Sequence, residues 1–339
     1  MVINFTEIII RISIIYVLII LGLVLRLFLK DPDNSAIITY STKLILNILF
    51  PFIVISSILN ANFNSIFAIF LSIFFCLIVI FSAIFSVLLY SRIRSIPNQT
   101  LGSLFLAVSF PNSVFLPFPL ILILIGPQGL ITATLFAVTV IVIQNSLGSY
   151  LGIKYGSKDH SYGSLDFKKI IKKILIFPPT FSMLIGFFFK IVFDPDTFAN
   201  FLSFLPFSTN QINFTINGIN WISLILALLL IGLTFNLSFH SLNNRFLSFV
   251  SIFRLIIAPF FGILFLILIY FFIFPSEPVN VDFVVPLLIQ AFSGPAIINI
   301  AFAKEFFLDV ESESIYITIL TLLSLLILPF LIISVFILI

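Results

Sequence analysis

The chain has 339 residues, of which 61% are hydrophobic and 9% charged, with 46 phenylalanines and a net charge of +3. A soluble domain has about a quarter of its residues charged, so a water-covered surface is excluded, and with it soluble enzymes, nucleic-acid binders and disordered chains. The mean hydropathy of +1.31 identifies an all-α polytopic membrane protein whose main solvent is the lipid bilayer.

A bilayer core about 30 Å thick requires about 20 apolar helical residues. Ten segments meet that requirement: 5–28, 36–59, 65–90, 100–126, 129–153, 170–192, 216–239, 246–270, 282–304 and 314–338. These runs are too long and too uniformly apolar for the alternating strands of a barrel. The first span carries Glu7 and Arg11 near its start, which can pair at i,i+4, and no small-residue cleavage pattern follows it. It reads as a retained helix.

Short loops make the Lys/Arg bias informative. The loops after the odd-numbered spans, with the adjoining helix ends, hold fourteen of the sixteen basic residues; only Arg11 and Lys190 fall on the other side. That side is expected to be cytoplasmic, with both termini outside the plasma membrane. The longest such loop, 154–169, divides the chain into five-span halves over 1–153 and 170–339. With an odd number of spans in each half, related halves must be inverted in the membrane, a plan that places substrate where discontinuous helices meet.

The fourth span of each half is interrupted by Pro or Gly-Pro. Span 4 contains Pro111, Asn112, Ser113, Pro117 and Pro119; span 9 contains Ser293, Gly294, Pro295 and Asn299. Proline removes an N–H and clashes with the preceding turn, and irregular backbone at membrane depth persists only against protein or a water-filled cavity. Spans 4 and 9 are therefore expected to be broken and to cross. Their half-helix N-termini would present partial positive charge to an anion. Simple packing kinks are the alternative.

At these residues the chain resembles the auxin efflux carrier family of plants and prokaryotes, within the bile-acid/sodium symporter-like superfamily. The resemblance runs through Leu21-Gly22 and Arg26, then Thr42-Lys43-Leu44 with Asn47 and Pro51. It continues through Pro111-Asn112-Ser113 with Pro119-Leu120, Gly126 to Leu130, and Asn145 with Gly152. In the second half it rests on Pro178-Pro179 with Gly186, Leu230-Ile231-Gly232-Leu233, Arg254 to Pro259, Ala303-Lys304-Glu305 and Leu328-Pro329. Pro117 stands where relatives usually carry Gly. The resemblance implies a scaffold of helices 1, 2, 6 and 7, often a homodimer. It also implies a moving unit of helices 3–5 and 8–10, and elevator-type transport of a small organic anion, such as an auxin-like carboxylate.

Buried polar residues are costly unless paired. Asn112, Ser113, Ser293, Asn299, Asn145 and Asn47 are the expected substrate contacts, with Gln144 and Gln290 nearby; interhelical hydrogen bonding is the alternative for each. Lys43 and Arg254 lie inside spans and are expected to snorkel toward the cytoplasmic side. No carboxylate is expected near the midplane, which favours uniport over proton or sodium coupling. Cys76 stands alone, and His160 and His240 lie apart in polar stretches. No metal, other cofactor or nucleic-acid partner is therefore expected. An intramembrane enzyme lacks a His-Glu-x-x-His motif or a base within a span. A channel would use the same helices as a fixed pore.

Overall fold

A computed structural model describes residues 5–29, 31–60, 66–156, 172, 176, 178–192, 209–235, 245–273 and 280–338. These residues are helical throughout apart from short links, and seven helices are long and apolar enough to cross a bilayer. Helix α1 is Phe5–Phe28, and α2 covers 31–60 as Asp31–Leu44 and Phe50–Asn60 around a π turn at Ile45–Leu49. Helix α3 is Ile66–Ile93, α4 is Asn98–Ser109 and α5 is Pro117–Leu124. Helix α6 covers 127–155, with a π turn at Gln144–Gly148. Then come α7, Pro178–Val192; α8, Thr209–Thr234; and α9, 247–272, with a π turn at Phe253–Ile257. The chain closes with α10, Val281–Ala291; α11, Asn299–Glu305; and α12, Val310–Leu338.

The seven long helices match expected spans 1, 2, 3, 5, 7, 8 and 10. Span 4 is divided into α4 and α5, and span 9 into α10 and α11. At 1.5 Å per residue, the 12 residues of α4 reach about 18 Å and the 8 of α5 about 12 Å, so a bilayer is crossed only by the two together. Within span 6, Pro178–Val192 is helical. The linker at 157–169 and both histidines lie outside the described residues.

Two hydrophobic clusters fill the bundle. One joins α3, α4, α9 and the lower half of α12, with Phe75, Phe105, Phe110 and Tyr316 fully buried; the other joins α1, α2, α5 and α8 around Phe50, Leu116 and Ile231. Helix α1 packs on α8, α2 on α7, α3 on α9, α6 on α10 and α4 on α12. The closest approach between α1 and α8 is made by two glycines: a Cβ on Gly22 would strike the Leu229 carbonyl, and one on Gly232 the Ile19 carbonyl. Small residues allow such approach where lipid gives no hydrophobic drive between helices. Phenylalanines 74, 85, 260, 271 and 330 point outward, an apolar surface suited to lipid.

The ends of the broken helices follow from their prolines. The residue before a proline is pushed out of the α region, and Phe110 is extended at φ −110°, ψ 101°, which ends α4. Pro117 and Pro119 fall in the first turn of α5, where a missing N–H costs nothing. They therefore open the second half-helix, and Pro111 alone sits at the centre of the break. In span 9, Gly294 and Pro295 occupy the corresponding stretch between α10 and α11.

Candidate functional site at the crossing of the two breaks

The interrupted segments pair with each other. The Asn112 N–H donates to the Gly294 carbonyl at 2.7 Å and the Ala296 N–H to the Phe110 carbonyl at 3.0 Å, an antiparallel bridge centred on Pro111 and Pro295. Both hydrogen bonds are made by residues flanking the prolines. The prolines face each other as the pair that needs no N–H, so the residue type that breaks each helix is also the one this bridge accommodates. Gly294 allows α12 to close on the crossing: a Cβ there would lie 2.8 Å from the Thr321 N and 2.9 Å from the Leu320 C. Gly294→Ala is expected to lower stability by about 1–3 kcal/mol through overpacking, seen as a fall in the unfolding temperature in detergent.

Arg254 holds the crossing from behind. It is fully buried, and its Nε donates to Ser293 O at 3.0 Å, one terminal nitrogen to Ala291 O at 2.7 Å and the other to Val108 O at 3.5 Å. These carbonyls lie at the C-terminal ends of α4 and α10, the negative ends of two helix dipoles. The expected snorkelling is thus corrected: the guanidinium turns inward because two half-helix ends supply acceptors at its own depth. Gln290 and Asn299 tie the same region together. The Gln290 amide donates to Ser113 O at 2.9 Å and Ala133 O at 3.2 Å. The Asn299 amide donates to Leu106 O at 3.0 Å and accepts from Gln144 Nε2 at 2.6 Å.

A cavity of about 650 Å³ lies against the crossing, between α2, α6, α11 and α12. Pro111, Asn112, Ser113, Gln144 and Asn145 form its deep wall, and the exposed Lys43, Lys304 and Glu305 form its mouth. At its inner surface Asn112 is 2% exposed. Its Oδ1 accepts the Phe115 N–H at 3.1 Å, while its Nδ2 is buried without a partner. An orphaned amide donor on a cavity wall needs an acceptor.

Three of the six expected contact residues, Asn112, Ser113 and Asn145, line this cavity. The Asn145 amide also donates to Ile141 O at 2.9 Å. Ser293 and Asn299 are fully buried outside the lining, with the Ser293 hydroxyl bonded to Ile289 O at 2.8 Å. Asn47 is exposed and does not line the cavity. The half-helix N-termini, expected to present partial positive charge to an anion, use their N–H groups locally. Pro117 and Pro119 have no N–H, Phe118 N and Leu120 N are bonded to Val114 O and Leu116 O, and the first three N–H groups of α11 are bonded to residues 296–298. Of the amides on the cavity wall, those of Gln144 and Asn145 donate to protein acceptors, and Asn112 Nδ2 is left without one.

Comparison with known proteins points to membrane transport. Residues 7–161 match a family described as membrane transport protein. An uncharacterized transporter of Methanothermobacter thermautotrophicus is 26% identical over 248 residues, covering 72% of this chain and 73% of that protein. Over the matched residues the chain is similar to membrane transport proteins. A second relative, an uncharacterized transporter of Methanocaldococcus jannaschii, is 29% identical over 142 residues, covering 40% of this chain and 43% of that protein. The matched family region contains the first break, and with it Asn112, Ser113 and Asn145.

Sequence reasoning missed Ser314 and Thr318 of α12 as cavity residues, although their i,i+4 spacing with Ile317 between them marks one helix face. It also missed Glu313, which is fully buried beside Asn299.

Proposed function

We propose that this protein is a secondary carrier for a small organic anion, a carboxylate of the auxin-like kind, bound in the cavity at the crossing. The observation that carries this reading is the unpartnered Asn112 amide on the wall of a cavity whose mouth bears two lysines and one glutamate. The volume lies within the ~300–1,000 Å³ of small-molecule sites, and the mostly apolar walls suit the body of an organic acid. Ten spanning segments in two inverted five-helix repeats would account for the fold. In support, inversion exchanges the α1–α8 contact with the α7–α2 contact and the α6–α10 contact with the α12–α4 contact, and all four occur. On this plan α1, α2, α7 and α8 form the scaffold, paired as a homodimer in the plasma membrane. The remaining helices move as an elevator, and the basic cavity mouth faces the cytoplasm.

The opposite end is closed by contacts between scaffold and moving unit. Arg11 of α1 pairs with Glu7 at 2.5 Å and donates to the Ile123 and Leu124 carbonyls at the end of α5, while the Tyr16 hydroxyl donates to Leu325 O on α12. Arg11→Ala is expected to free the α5 end and shift the population toward opening at that side. The measurement is labelling of a cysteine placed near Leu124 by a membrane-impermeant reagent, which should rise.

Purified protein in liposomes, tested with labelled monocarboxylates including indole-3-acetate, tests the function. Saturable uptake with counterflow supports a carrier. Linear flux without counterflow supports a fixed pore, and no flux of any acid removes the anion reading. The uniport expectation rested on the absence of a carboxylate near the midplane; Glu313 is a buried carboxylate in the first turn of α12 that it did not weigh.

A further inference from the structure

Glu313 lies in the first turn of α12, fully buried, and neither carboxylate oxygen has a well-formed hydrogen bond among the described residues; the Asn299 side chain is the hydrogen-bonding group that approaches it. A charged carboxylate in such surroundings is costly unless a cation or a proton accompanies it. Among the described residues, the helices in contact with α12 bring no buried cation other than Arg254. Helix α4 has no titratable side chain, Asp282 of α10 and Lys304 and Glu305 of α11 are exposed, and Arg254 of α9 is engaged with three carbonyls. The charge that reaches Glu313 is Asp309, of the same sign, itself held by Thr100 Oγ1 at 3.0 Å and Ser312 Oγ at 2.8 Å.

A metal ion fits this pocket poorly. It needs several free oxygens, but the Asn299 oxygen already accepts from Gln144 and the Ser312 hydroxyl is already directed at Asp309. Among the described residues no group of three or more His, Cys, Asp or Glu side chains is arranged around a metal position. A proton needs only the carboxylate oxygen. The position is also connected to the cavity: Asn299 accepts from Gln144 at 2.6 Å, and Gln144 shares the deep wall with Asn112. The same Asn299 amide holds the break through Leu106 O and Phe110 O.

We infer that Glu313 is the proton-carrying group of the transport cycle, connected to the bound anion through Asn299 and Gln144, so that proton and anion cross together. This rests on the carrier reading above. The proton enters from water at the open cavity end, resides on a Glu313 oxygen while the moving unit crosses, and leaves to water on the far side. The proton removes the carboxylate's own charge, so the loaded unit crosses the low dielectric with one negative charge rather than two.

Two measurements test it, one of which needs no substrate. Infrared difference spectra of the wild-type protein titrated from acid to alkaline pH are expected to show loss of a protonated-carboxyl C=O band that Glu313→Gln lacks; the same band in Glu313→Gln, or no band in the wild type, overturns the assignment. In liposomes, an inward acid gradient at zero membrane potential is expected to stimulate wild-type uptake of a labelled carboxylate. Glu313→Gln should lose that stimulation, and Glu313→Asp, which still titrates, should keep it. Stimulation unchanged in Glu313→Gln, or absent from the wild type, overturns the coupling. If no acid in the panel shows counterflow, the carrier reading and the coupling both fail, while the spectral band still decides the proton site.

Discussion

Replacing Arg254 with alanine is expected to abolish transport by dismantling the crossing. The guanidinium binds carbonyls beside both breaks, Val108 on one and Ala291 and Ser293 on the other. Its removal leaves three buried carbonyls without that donor, and a void where the stem packed. Breaking a buried charged network of this kind costs about 3–5 kcal/mol, a large fraction of a typical total stability of about 5–15 kcal/mol. Arg254→Ala should therefore show a strongly lowered unfolding temperature and little monodisperse protein. Arg254→Lys should recover part of this, because one ammonium keeps the charge at the helix ends but cannot fork between carbonyls on two segments. Wild-type stability in Arg254→Ala would mean that the bridge between Pro111 and Pro295 holds without it.

Asn112→Ala is expected to have the opposite profile, an intact fold with lost transport. The Nδ2 makes no protein hydrogen bond, so its loss removes only the local bond from Oδ1 to the Phe115 N–H. That bond contributes about 0.5–1.5 kcal/mol. The substrate would lose a hydrogen bond to a charged group, about 1.5–3 kcal/mol, or roughly tenfold to a hundredfold in affinity. Asn112→Asp should be worse still, since it places a negative charge against an anion. The check is the concentration dependence of counterflow, with the unfolding temperature measured on the same preparations.

The breaks were legible in the sequence because proline acts locally: Pro111 and Gly294-Pro295 interrupt apolar runs wherever those runs end up. The Glu7–Arg11 pair was legible for the same reason, since i,i+4 spacing suffices. Arg254 was misread because depth along one helix says nothing about acceptors on two others, and the π turn at Phe253–Ile257 that carries it has no sequence signature. The same limit explains Asn47. It lies within the π turn Ile45–Leu49, where the extra residue in the turn alters which face follows Lys43, and Leu46 rather than Asn47 lines the cavity. Glu313 escaped because a carboxylate in the first turn of a helix usually reads as a solvated, dipole-friendly residue. The packing of α4, α9, α10 and α11 on α12 is a tertiary feature, and Glu313 is fully buried. Among the described residues, the three π turns carry Leu46, Gln144 with Asn145, and Arg254.

The claim on which the functional reading depends is that substrate occupies the cavity beside Ser113. The chain has one cysteine, Cys76, which is fully buried, so Ser113→Cys in a Cys76→Ala background gives a single reporter thiol on the cavity wall. Its modification rate by a negatively charged thiol reagent, measured with and without a transported carboxylate, is the decisive measurement. Modification slowed by the carboxylate in proportion to its saturation of transport is the expected result. Modification at the same rate with and without a saturating transported acid would contradict it.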